Sequence, residues 1–81
     1  MAITEIIPIE GEWTPIAMGE GYVVFNPLSN GLHWAINSTE PDLNRGHLAR
    51  VYEQTSLKLE DGETLYVKGR GDVAVTADNP A

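Results

Sequence analysis

Eighty-one residues make a single domain with a thin core, because a chain this short buries only about 60% of the surface it exposes when unfolded. The absence of cysteine removes disulfides and every thiolate metal site, which leaves association as the expected source of added stability. A net charge of −7 opposes contact with phosphate backbones, and apolar runs such as Tyr22-Val23-Val24-Phe25 fall far short of the roughly 20 residues that cross a bilayer, so neither nucleic acid nor membrane is expected as a partner.

Along the chain, short apolar runs are cut by turn residues. Ile3 to Ile9 and Trp13 to Ala17 read as two β segments joined through Gly11, and Pro8 and Pro15 place each of them at a sheet edge or a bulge. Residues 1–10 are a candidate extended arm. Tyr22 to Phe25 reads as a central strand. The cluster that follows it ends in Asn30-Gly31, whose positive φ preference predicts a hairpin turn. Leu32 to Asn37 returns as a fourth strand, with Leu32, Trp34 and Ile36 on one face and His33, Ala35 and Asn37 on the other. Residues 38–46 are the one long polar stretch and read as a loop.

Beyond the loop, Leu48 to Tyr52 is a weak strand, and Ser56 to Leu59 alternates with Leu57 and Leu59 inward. Asp61-Gly62 signals a hairpin. Thr64 to Lys68 directs Leu65 and Val67 to one side, Gly69-Arg70-Gly71-Asp72 predicts another turn, and Val73 to Thr76 directs Val73 and Val75 inward. The tail, residues 78–81, is polar and expected to fray. Six to eight short strands without helical periodicity predict an all-β fold, a small single-domain β-sandwich or barrel spanning residues 1–81.

Charge is uneven. Residues 1–44 hold Glu5, Glu10, Glu12, Glu20, Glu40 and Asp42 and no basic residue, so this part carries −6 and the remainder −1. A solvated acidic surface explains this, and an acidic face that meets a basic partner is the sharper alternative. The start, Met1-Ala2-Ile3-Thr4-Glu5, lacks the basic region followed by an apolar stretch of a secretory signal, so export is not expected.

Chemical candidates are few. His33 and His47 with Asp42 or Glu40 lack any recognised metal-ligand spacing, and no metal or other cofactor is expected. Ser29, Ser38 and Ser56 occupy turn or strand-edge positions without a nucleophile elbow. Glu60, Asp61 and Glu63 surround a tight turn, where solvation accounts for them better than acid/base work. Arg70-Gly71-Asp72 matches the integrin-binding tripeptide, and its Gly and Asp are also what a turn there needs. Asn37-Ser38-Thr39 fits an N-glycosylation pattern that has no use without export. No catalytic residue is assigned, and the chain is not expected to be an enzyme. Among the aromatics Trp13, Tyr22, Phe25, Trp34, Tyr52 and Tyr66, Trp34 belongs inside and Tyr66 faces out. Outward aromatics anchor protein partners or stack on sugars.

The arrangement Trp13-Thr14-Pro15-Ile16-Ala17, Tyr22-Val23-Val24-Phe25-Asn26, Trp34-Ala35-Ile36-Asn37 with Glu40-Pro41, Gly62-Glu63-Thr64-Leu65-Tyr66-Val67-Lys68-Gly69 and Val73-Ala74-Val75-Thr76 resembles small β-rich bacteriophage virion proteins. These include capsid decoration, head-fibre and tail-associated modules. The likeness spans residues 13–77 and is one of strands and turns rather than of a site. It implies a structural protein of the virion, made in the host bacterial cytoplasm, that binds subunits such as the major capsid protein and forms a homo-oligomer, with a trimer favoured. A host-recognition or carbohydrate-binding module is the alternative.

Overall fold

The computed structural model describes residues 2–80. It is all-β, with β1 (Ile3–Glu10), β2 (Thr14–Met18), β3 (Gly21–Pro27), β4 (Leu32–Asn37), β5 (His47–Ala49), β6 (Thr55–Leu59), β7 (Thr64–Lys68) and β8 (Arg70–Ala77). The strands form two four-stranded antiparallel sheets, the first in the order β1-β8-β3-β6 and the second in the order β2-β7-β4-β5. The two sheets face each other as a sandwich, which decides between the sandwich and barrel that the strand pattern left open.

The order has a simple origin. β4 pairs with β5, β3 with β6, β2 with β7 and β1 with β8, the ladder of one long hairpin closed by residues 38–46. Wrapping that hairpin brings β8 against β3 and β7 against β4, which is the arrangement of a jelly roll. Every connection except β4–β5 therefore crosses from one sheet to the other.

The expected hairpins at Asn30-Gly31 and Asp61-Gly62 are thus corners between sheets. Their glycines do carry the positive φ that the residues predicted, 83° at Gly31 and 85° at Gly62. A positive φ reverses the chain locally, but long-range pairing decides which sheet the next strand joins. The turn expected at residues 69–72 is likewise confined to Gly69, and Arg70, Gly71 and Asp72 are already in β8, opposite Glu10, Ile9 and Pro8. Gly69 (φ 132°) permits a close crossing: a Cβ there would lie 2.7 Å from the Gly31 carbonyl oxygen and 2.8 Å from Leu32 Cδ2.

Both proline placements agree with the strand pattern. β1 and β2 are edge strands, and the β2–β7 register shifts between Pro15 and Ala17. Residues 3–10, however, are an integral strand rather than an arm. They pair with β8 along their whole length and bury Ile9 in the core. The tail does not fray over residues 78–80. Asp78 Oδ2 accepts from the Tyr22 amide at 3.0 Å, the Asn79 carbonyl accepts from the Met18 amide at 3.0 Å, and Pro80 bridges to Ala17. Two main-chain groups at the β2–β3 corner would otherwise lack partners. Ala81 lies outside the described residues.

The core fills the space between the sheets. Ile9, Val23, Phe25, Leu59, Val73, Val75 and Ala77 come from the first sheet and Ile16, Ala17, Leu32, Ala49, Leu65 and Val67 from the second. Phe25 of β3 meets Trp34 of β4 edge-on across the gap, with ring centroids 6.0 Å apart. This geometry suits the opposite charges of ring face and ring edge.

Candidate interaction face

The outer faces of the two sheets differ. On the second sheet, alternation turns His33, Ala35, Tyr66 and Lys68 outward, and the chain itself covers them. The 38–46 loop folds back so that the Leu43 carbonyl accepts from Trp13 Nε1 at 2.8 Å, and Lys68 Nζ lies 5.8 Å from the Trp13 ring centroid. Trp13, Ala35 and Pro41 are buried, although Ala35 faces away from the core. Met18, Leu43 and Leu48 remain exposed at the rim of this covered face.

Gly46 allows the loop to close. A Cβ on it would collide with the Trp34 carbonyl oxygen, which is main chain and has little room to move, and would approach Trp13 Cη2 to 3.2 Å. Gly46→Ala is expected to lift the loop, break the Trp13 bond and cost about 1–3 kcal/mol. A red shift of tryptophan emission with a lower denaturation midpoint is the predicted result, and unchanged emission would show that the loop does not depend on this contact.

Among the described residues no segment covers the outer face of the first sheet. The registers place Thr4, Ile6, Pro8 and Glu10 of β1, Arg70, Asp72, Ala74 and Thr76 of β8, Tyr22, Val24 and Asn26 of β3, and Ser56 and Lys58 of β6 on it. Ile6 and Tyr22 are each 65% exposed. The charged side chains on this face are Glu10, Arg70 and Asp72 at the far end of the β1–β8 pair and Lys58 beside Tyr22 on β6, two acids and two bases. Thr4 and Thr76 share a hydroxyl hydrogen bond of 2.8 Å, so even the polar rows are paired within the sheet.

The free edges, in contrast, are blunted. Asp72 donates its amide to Ser29 Oγ and accepts from the Leu28 amide, so its main chain faces β3 and not β1. Pro8, opposite Asp72, therefore turns its nitrogen toward the free edge and denies a donor to any added strand. Glu5 on the inner face of β1 puts a charge where a partner strand would need an apolar residue. β2 is interrupted by its bulge and flanked by Asn79 and Pro80, β5 has three residues, and β6 carries Lys58. Contact through a face is thus favoured over contact through an edge.

The titratable candidates do not converge. His33 points outward with Nδ1 3.4 Å from the Gly46 carbonyl oxygen, whereas His47 begins β5 opposite Trp34 and stacks on that ring at 4.5 Å. Glu40 and Asp42 are exposed in the loop. Glu63 Oε1 accepts from the Glu60 amide at 2.7 Å, which ties that carboxylate to its own turn, and Glu60 and Asp61 are exposed. Ser29 Oγ serves the Asp72 amide, and Ser38 and Ser56 are exposed. Arg70-Gly71-Asp72 lies in an extended strand, where a Cβ on Gly71 would collide with the Ser29 side chain. Among the described residues no pocket opens, no three His, Asp or Glu side chains form a metal-binding group, and Thr64 is the only buried polar residue.

One feature escaped the strand pattern. Tyr52 sits at φ 62°, an uncommon conformation for a bulky residue, with its amide donating to the Pro27 carbonyl at 2.8 Å and its side chain 76% exposed. No signal in the residues around it marks that conformation. No family model, curated protein or solved structure matches the chain.

Proposed function

We propose that the chain is a non-enzymatic structural component of a bacteriophage particle, which binds capsid or tail subunits and stabilises the assembly through protein contacts. The observation that carries this reading is the uncovered outer face of the first sheet, where Ile6, Tyr22, Val24 and Ala74 are presented and where acids and bases balance, on a chain of net charge −7. Large exposed apolar surfaces mark contact sites, and a thin-cored domain gains stability by burying one. The resemblance to small virion proteins and the use of jelly rolls in viral capsids support the same reading, the second by analogy of fold alone.

Recognition of a host glycan or receptor is the second reading. Tyr52 favours it, because a strained backbone that presents an aromatic ring to solvent is a common feature of binding sites. The genes beside the reading frame test the choice. A neighbouring capsid or tail gene is the expected result. A metabolic operon, or tyrosine and tryptophan fluorescence that responds to sugars with no particle association, would overturn the structural reading.

A further inference from the structure

We infer that the outer face of the first sheet pairs with the same face of a second copy, related by a two-fold axis that lies in the plane of contact. The inference rests on the reading of this face as a protein contact, and it names the partner.

Size, charge and pattern support it. The two larger principal extents of the molecule are 28 and 25 Å, so a face bounded by them offers at most about 700 Å², which fits a small interface below the standard size. Two chains of −7 repel as wholes and meet at least cost on this face, where Glu10 and Asp72 are matched by Arg70 and Lys58. Glu20, Glu60, Asp61 and Glu63 lie in the corners that join the sheets, off this face, and Glu40 and Asp42 lie in the loop on the far side. A basic partner would be drawn to those carboxylates instead.

The pattern is self-complementary. Read across the sheet, one row is Thr4, Thr76, Val24 and Ser56, and the next holds Ile6, Ala74 and Asn26, while Tyr22 and Lys58 lie beyond the first and Pro8 and Asp72 beyond the second. A two-fold axis that passes through Thr76 and crosses β3 between Val24 and Asn26 sets Tyr22 against Ile6 of the other copy, twice over. It also sets Val24 against Ala74, and Lys58 near Pro8 rather than near another Lys58. The two most exposed apolar side chains of the face thereby cover each other, with strands crossing near a right angle, one of the two ways sheets stack. Such an isologous contact closes at two copies, in contrast to the trimer that the resemblance implies.

Light scattering on the full chain should give a dimer that tightens as salt rises, because salt screens the repulsion between the two acidic bodies. Ile6→Glu should weaken it by at least about tenfold, and at concentrations where the parent is monomeric the two proteins should share a denaturation midpoint, since Ile6 lies outside the core. The chain has no native cysteine, so a short bismaleimide can map the contact. Mixed Ile6→Cys and Tyr22→Cys proteins should cross-link, and Ile6→Cys alone should not. A trimer, cross-linking of Ile6→Cys to itself, or a wild-type monomer at all concentrations would overturn the self-pairing. A monomer that still binds particles, and loses that binding on Ile6→Glu, overturns the pairing while leaving the docking role intact. If Ile6→Glu alters neither property, both fail.

Discussion

Phe25→Ala is expected to destabilise the domain by about 3–5 kcal/mol, the range for removing a buried aromatic ring. Phe25 is 1% exposed and joins the sheets by its edge contact with Trp34, so neither sheet can close on the cavity without losing the other's packing. Stability of roughly 0.05–0.15 kcal/mol per residue leaves a domain of this length little reserve. The variant should therefore be largely unfolded at 37 °C, or hold its fold only as part of an assembly. Near-ultraviolet circular dichroism and urea denaturation check this, and a midpoint close to that of the parent would mean that the gap between the sheets collapses readily.

Removal of residues 1–10 is expected to unfold the chain as a whole. The deletion takes away the β1–β8 ladder from Ile3↔Ala77 to Glu10↔Arg70 and withdraws Ile9 from the core, which uncovers the neighbouring Val73 and Val75. It also leaves β8 as a bare edge with neither proline nor an inward charge to protect it, so aggregation should accompany unfolding. Loss of near-ultraviolet signal and growth of light scattering are the predicted results. A truncated chain with native spectra and an unchanged midpoint would return these residues to the role of an arm.

Much of the architecture was legible along the chain because a strand needs only local information. Alternation at Leu32, Trp34 and Ile36, or at Leu65 and Val67, states which side chains share a face. Pro8 and Pro15 announce edge positions because a missing amide is tolerated only there. The polar 38–46 segment reads as a loop and is one. What alternation does not state is what lies over each face. Ala35 reads as an outward residue, and it is buried because a loop closed by Gly46 and Trp13 returns over it.

The candidate face was less legible than the strands. Ile6, Val24 and Ala74 are far apart in sequence and become neighbours only through β8, which inserts between β1 and β3. In the sequence Tyr22 is one aromatic among several, with no local sign of what stands beside it. The outward turn of the Pro8 nitrogen depends on the hydrogen bonds of Asp72 to Ser29 and Leu28, which are long-range.

By itself, the order of residues determined the strands, the inward set of each, the positive-φ corners and the net charge, because these depend on φ preference, period-two alternation and ionisation of single side chains. Tertiary structure alone decided that the corners switch sheets, that β1 and the tail are built in, and that one sheet is covered while the other is bare. The physical reason is that strand pairing is made between segments whose separation carries no local mark: a corner glycine reverses the chain in the same way whether the next strand joins its neighbour or crosses the core.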